Sequence, residues 1–180
     1  MLDGWVGRNM RERQVMVLPY DKIWAENFNV IKRRLLDGLK TLAIGIEHVG
    51  STSVVGMSAK PIIDIDVVIQ SPADFELVAT RLLNDGYIHE GNLGIEGREA
   101  FKYTGKDNLP NHHLYVCHTH SVELLKHITF RDYLKNNPEA ALEYSRIKEE
   151  AAEVFKNNKV RYMECKTKCI KKMYKDCGLL

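Results

Sequence analysis

One stretch of the chain constrains its fold more than any other. Ile62-Ile63-Asp64-Ile65-Asp66-Val67-Val68-Ile69 is a β-branched run that reads as a buried strand, yet it holds two carboxylates. Carboxylates seldom sit in apolar strands without a partner. Side chains two apart in a strand point to one face, so Asp64 and Asp66 present their oxygens side by side while Ile63, Ile65 and Val67 line the other. That is the outline of a divalent-cation site. An edge strand that alternates apolar and charged residues has the same pattern, so the strand alone leaves both readings open.

The residues upstream bear on the choice. Gly50-Ser51-Thr52-Ser53 supplies a tight turn, free backbone N–H groups and a row of hydroxyls. Such a nest can cradle a β- or γ-phosphate without a Walker lysine; read by itself it is a polar turn. Two carboxylates suit Mg²⁺ or Mn²⁺, hard cations that prefer oxygen and keep positions open for the phosphates of a nucleoside triphosphate. Such an ion neutralises charge on a transferring phosphoryl group. Turn and Asp pair together point to a joint phosphate and metal site. Lys60, just before the strand, either leans toward the phosphates or lies in solvent beside Pro61.

A chain of 180 residues is long enough for one domain, 1–180, with its own core. The net charge of +2, with 28% charged residues, gives no large basic field and so no strong nucleic-acid signal. Cys117, Cys165, Cys169 and Cys177 form no CxxC pair and read as reduced thiols. The N-terminus lacks the basic-then-apolar pattern of a secretory signal, and no apolar run approaches the ~20 residues that span a bilayer. A cytoplasmic protein without a membrane role is the expectation.

Hydrophobic periodicity places the elements. Residues up to about Met10 read as a loose start and 15–18 as an entry strand or extended arm closed by Pro19. Asp21 caps a helix with Ile23, Trp24, Phe28, Ile31, Leu35, Leu36 and Leu39 at helical spacing. Strands follow at 44–49 and 62–69, a helix at 74–84, and strands at 87–89, 100–103 and 112–117. Helices fill the rest, at 123–136, 139–158 and 160–177, broken by Asn136-Asn137-Pro138. This predicts an α+β fold, a mixed sheet flanked by helices with a helical C-terminal third.

The Gly50-Ser51 turn followed by Asp64-Ile65-Asp66 resembles the signature of the DNA polymerase beta-like nucleotidyltransferase superfamily. More narrowly, most of the chain resembles the GrpB family, small proteins of that fold with no well-established activity. The resemblance rests on Val17-Leu18-Pro19-Tyr20-Asp21 with Trp24, on His48 to Val54 with Gly56, and on Lys60-Pro61-Ile62-Ile63-Asp64-Ile65. It continues in His112-His113-Leu114-Tyr115-Val116, Phe130-Arg131-Asp132-Tyr133-Leu134, Tyr144 with Lys148, and Tyr162 with Lys166. It implies a nucleotidyltransferase-like fold in which the Gly-Ser turn holds a nucleoside triphosphate and the Asp pair a metal.

The chain departs from the superfamily in one respect. A neighbouring strand there usually adds a third acid, often the base that deprotonates the acceptor hydroxyl, whereas here that strand reads His112-His113-Leu114-Tyr115-Val116. His113 and Tyr115 share one face, so His113 is either a base or ligand beside the Asp pair or a structural strand residue. GrpB relatives commonly carry His where this chain has Tyr115. Arg98, in the loop before the 100–103 strand, and Arg131 are candidate phosphate clamps, since guanidinium matches phosphate bidentately. Arg131 can instead pair with Asp132, and Lys166 either reaches the triphosphate or belongs to a solvated face. His118, His120 and His127 lack an acid at ligand spacing, which argues against zinc there.

The activity so implied is metal-dependent transfer of a nucleotidyl group from an NTP to an unknown small-molecule or protein acceptor. The other readings are a non-catalytic nucleotide-binding or regulatory module and a role linked to CoA metabolism. The last rests on GrpB-like domains fused to dephospho-CoA kinase.

Overall fold

The structure, a computed structural model, describes residues 14–180; the loose start expected up to Met10 lies outside the described residues. From Val15 the chain runs as an extended arm. Its one ladder contact is a bridge between Leu18 and Ala59, and the Val15 N–H donates to the Lys156 carbonyl at 2.9 Å. Helix α1 (Ile23–Leu39) starts where the Asp21 carboxylate accepts from the Ile23 N–H at 2.9 Å. Its apolar stripe, Trp24, Ile31, Leu35 and Leu39, is buried. Strand β1 (Gly45–Val49) leads into a single 3₁₀ turn at Ser51–Ser53, and β2 (Ile63–Ile69) follows.

Helix α2 (Phe75–Asn84) ends at Asp85, where Gly86 adopts a φ of +91° and lets the chain double back into β3 (Tyr87–Gly91). Strand β4 (Arg98–Tyr103) begins earlier than its apolar core suggests, so Arg98 is the first residue of a strand rather than part of the loop. Strand β5 (His112–His118) precedes three helices, α3 (Val122–Asn136), α4 (Pro138–Val154) and α5 (Lys159–Asp176). Ser121 caps α3 by accepting from the Leu124 N–H, and Pro138 opens α4, where a missing N–H costs nothing.

The sheet order is β1-β2-β5-β4-β3, with β2 and β5 parallel and every other neighbouring pair antiparallel. One face of β2, namely Ile63, Ile65, Val67 and Ile69, packs with Leu114 and Val116 of β5 beneath α1 and α2. Full burial of each such aliphatic side chain contributes roughly 1.5–3 kcal/mol relative to exposure. The opposite face carries Asp64, Asp66 and Val68, and Leu124 of α3 packs there on Val68 and Cys117. Tyr144, Cys169 and Met173 of α4 and α5 enclose Val54 and Met57, so the helical third closes over the loop that follows the Gly50 turn. All four cysteines are free, and no helix among the described residues is long and apolar enough to cross a membrane.

Candidate active site

The β1–β2 pairing sets Val49 opposite Asp64, so the turn leaving β1 lies directly against the first carboxylate. Gly50 has φ +68° and ψ −175°, a conformation nearly restricted to glycine. A methyl group there would collide with Asp64 Oδ2 and lie 3.1 Å from its Cβ and Cγ. Sequence distance thus becomes direct packing of turn on carboxylate.

The hydroxyls of the turn divide their work. Ser53 Oγ donates to the Gly50 carbonyl at 2.6 Å, and the buried Thr52 hydroxyl meets His48 Nε2 at 3.0 Å. Phe28 stacks on that imidazole, and burial pushes His48 down to about 4. Thr52 and Ser53 therefore shape the turn from within, while Gly50 and Ser51 line a cleft of about 200 Å³. Ser51 Oγ accepts a 2.8 Å hydrogen bond from Lys148 Nζ, which also donates to the Ser58 carbonyl. Lys148 is 2% exposed with Tyr144 beneath it, and burial lowers its ammonium to about 7. Lys60 turns elsewhere, its Nζ 4.4 Å from the Tyr162 ring centre and outside the cleft lining.

Asp64 and Asp66 share a face, as the strand period requires, but differ in setting. Asp64 is one-third exposed and bonds through Oδ1 to His113 Nδ1 at 2.8 Å, its direct neighbour on β5. Asp66 is fully buried. Its Oδ2 meets His127 Nδ1 at 2.7 Å, and its Oδ1 has no hydrogen-bond partner among the described residues. Burial raises the Asp66 carboxyl. His127 is pulled down by its own burial and raised on balance by the bond to Asp66, so the pair tends to retain a proton.

Cations surround the acids. Arg98 lies 4.2 Å above the Tyr115 ring, its Nε also unpartnered among the described residues. Arg131 on α3 donates to Glu47 Oε2 at 2.6 Å, to the His48 carbonyl at 3.2 Å and to Asp132 at 2.8 Å. Arg98, Arg131 and Lys166 all line the cleft with Asp64. The structure therefore brings together Gly50, Ser51, Asp64, Arg98, Arg131 and Lys166, with His113 hydrogen-bonded to Asp64 and Asp66 one pleat deeper.

Sequence reasoning missed His127, Lys148 and Glu47. His127 had seemed to lack an acid because its partner lies 61 residues away on β2. The available signal was an interruption, since His127 and Arg131 stand four apart on the side of α3 that also carries Leu124 and Leu134.

The donor set suits a hard divalent cation. It offers carboxylate oxygens, one buried and unpartnered among the described residues, and burial holds the nearby Cys117 as a thiol, pushed up to about 12, outside the cleft lining. As the side chains rest, no three acid, imidazole or thiol groups among the described residues converge on one point. Asp64 and Asp66 would hold Mg²⁺ or Mn²⁺ only with phosphate or water completing the shell.

A Gly-Ser turn packed on the first carboxylate of an Asp-x-Asp strand, within this mixed sheet, defines a nucleotidyltransferase-like fold. The Cid1 poly(U) polymerase bound to MgATP superposes with a TM-score of 0.53 at 12% identity, over 72% of this chain and 42% of that one. At that identity the likeness concerns the fold alone. Residues 14–176 match the family model described as GrpB protein, and the chain belongs to the GrpB family. The GrpB crystal structure from Enterococcus faecalis superposes with a TM-score of 0.73 at 30% identity, covering 88% of this chain and 99% of that one. The glutamate-rich protein GrpB of Alkalihalophilus pseudofirmus is 35% identical over 83% of this chain and 87% of its own length. The UPF0157 protein YqkA of Bacillus subtilis is 33% identical over 89% of this chain, which spans only 46% of that protein.

Proposed function

We propose that this chain is a metal-dependent nucleotidyltransferase, moving a nucleotidyl group from an NTP to a small-molecule or protein acceptor. The observation that carries the reading is the seating of Gly50 on Asp64, which sets the Gly-Ser turn and the first carboxylate of the Asp pair together in one cleft. In this reading the Gly50-Ser51 turn takes the phosphates, and Lys148 fixes the Ser51 hydroxyl toward them. Arg98, Arg131 and Lys166 offset charge on the departing pyrophosphate. Mg²⁺ or Mn²⁺ held by Asp64 and Asp66 would supply further neutralisation of phosphate charge. The acceptor hydroxyl attacks the α-phosphorus as the bond to the β-phosphate oxygen breaks, and its proton passes to His113. With Nδ1 engaged by Asp64, Nε2 is the nitrogen left to take it.

One observation favours the second reading, a nucleotide-binding or regulatory module without chemistry. Strand β5 sets His113 and Tyr115 opposite the Asp pair, where an acid would serve a transferase. A thermal-shift titration separates the cases, using the four NTPs, dephospho-CoA and CoA, each with Mg²⁺ or Mn²⁺. Wild type is compared with the Asp64→Asn, Asp66→Asn double variant, and pyrophosphate release is followed in parallel. A metal-dependent rise in melting temperature that the double variant loses, with pyrophosphate released, supports the transferase. The same rise without release for any acceptor supports the module. No rise with any ligand overturns both.

A further inference from the structure

The face of the sheet that bears Asp64 and Asp66 carries a third carboxylate, and it comes from the opposite neighbour. In the β1–β2 ladder Glu47 pairs directly with Asp66. Direct partners in an antiparallel pair share a face, with Cβ atoms roughly 4.5–5.5 Å apart. Tyr115 flanks Asp66 on the β5 side. The strand expected to supply an acid supplies a phenol, and the strand on the other side supplies a glutamate.

Glu47 does not rest against Asp66. Its Oε2 is held at 2.6 Å by Arg131 Nη1, and Arg131 lines the cleft beside Gly50, Ser51 and Asp64. Asp66 meanwhile keeps a fully buried oxygen without a hydrogen-bond partner among the described residues. A buried acceptor left without a hydrogen bond is destabilising, and a cation at that oxygen would remove the penalty. Helix α3 sets His127 on Asp66 and, one turn later, Arg131 on Glu47, so two adjacent acids are each masked by a base from a single helix. A guanidinium pairs bidentately with phosphate as well as with carboxylate, and Glu47 is one-third exposed, so a more highly charged phosphate group can compete for Arg131. The one group that holds Glu47 among the described residues is therefore also among the groups that an incoming polyphosphate would engage.

We propose that Glu47 is the third carboxylate of this site, held off by Arg131 until a polyphosphate in the cleft draws the guanidinium away and frees Glu47 to join Asp66 on a divalent cation. The proposal rests on the phosphate and metal reading of the cleft. Because direct cross-strand partners stand so close, Glu47 reaches Asp66 by side-chain rotation alone, with the backbone fixed. The site then gains its last ligand only when a phosphate is present, so cation alone is bound weakly by two carboxylates.

The test is Mn²⁺ affinity, read by isothermal titration and by the paramagnetic resonance of free Mn²⁺, with and without inorganic triphosphate. Affinity is measured for the protein, corrected for binding by triphosphate alone. Wild type is expected to bind Mn²⁺ at least tenfold more tightly with triphosphate. Glu47→Gln, which keeps a hydrogen-bond acceptor for Arg131, is expected to leave the triphosphate-free affinity unchanged and to lose most of that gain. Arg131→Met is expected to raise the triphosphate-free affinity severalfold, and Glu47→Gln in the Arg131→Met background to abolish the rise.

If Glu47 only anchors α3 on β1, Glu47→Gln lowers the melting temperature but leaves the triphosphate gain intact, and the proposal falls while the Asp pair stands. If wild type binds no Mn²⁺ under either condition, or the Asp64→Asn, Asp66→Asn variant binds it equally well, both the proposal and the underlying reading fall.

Discussion

Replacement of Gly50 by alanine tests the contact on which the site reading depends. Two costs are involved. The first is backbone strain, because φ +68° with ψ −175° is almost closed to L side chains and costs about 1–3 kcal/mol. The second is displacement of the Asp64 carboxylate, which a Cβ would strike, and with it the 2.8 Å bond to His113. His113 is half exposed and Asp64 one-third exposed, so that bond is worth only about 0.2–1 kcal/mol. Gly56 is the control, since it also has a positive φ, +82°, but an added Cβ would meet nothing within 4 Å. Gly50→Ala is therefore expected to lose about 1 kcal/mol more than Gly56→Ala in urea unfolding, or about 2–4 °C in melting temperature for a chain of this size. It is also expected to lose the metal-dependent nucleotide shift that Gly56→Ala retains. Equal destabilisation by the two, with the nucleotide shift preserved in Gly50→Ala, would refute the close-packing argument.

Three further outcomes are expected. Lys148 titrates at about 7 in the folded chain, below its ordinary 10.5, so its share of stability is complete only above 10.5 and is lost as pH falls through about 7. Between pH 7.5 and 9.5 the wild-type stability minus that of Lys148→Met should therefore rise, with a slope of up to about 1.4 kcal/mol per pH unit in denaturant titrations. Tyr87→Phe removes the 2.8 Å bond to His112 on the far side of the sheet; circular-dichroism melts should show a loss of about 1–3 kcal/mol with an unchanged nucleotide shift. Leu114→Ala opens a cavity at the fully buried centre of β5 and should cost about 2–5 kcal/mol in urea unfolding.

Elements with a single period were readable in the chain. The Ile-Asp-Ile-Asp-Val alternation set β2 and the face of its carboxylates, and the stripe from Trp24 to Leu39 set α1. The Gly50 turn was readable because its residues leave few other conformations. The bonds that complete the site were not, since each joins residues far apart in sequence. Asp66 meets His127 across 61 positions, Glu47 meets Arg131 across 84, and Ser51 meets Lys148 across 97. Periodicity shows that a polar residue lies on a helix's inner face but not which strand that face covers. The superfamily resemblance implies a third acid on the strand that is β5, which carries His113 and Tyr115 opposite the Asp pair. Strand order shows that β2 has a second neighbour, β1, and Glu47 is on it.

Asp64, Asp66 and Glu47 are each matched by a base of the same chain, Asp64 by His113, Asp66 by His127 and Glu47 by Arg131. A site whose acids are already hydrogen-bonded in this way receives a lone cation or a lone anion poorly, because either must displace an internal partner before it binds. In the proposed reading the two together would exchange partners, the cation taking carboxylates and the polyphosphate the freed bases. Binding of Mn²⁺ and triphosphate should therefore be cooperative, and thermodynamic linkage requires each to raise the other's affinity for the protein by one common factor. A coupling of about 1–3 kcal/mol corresponds to roughly 5–150-fold. Titrating Mn²⁺ at several triphosphate concentrations, and then triphosphate at several Mn²⁺ concentrations, measures the factor twice once their direct association is subtracted. Independent binding in both series would mean that the three acid–base pairs hold the fold together and take no part in ligand capture.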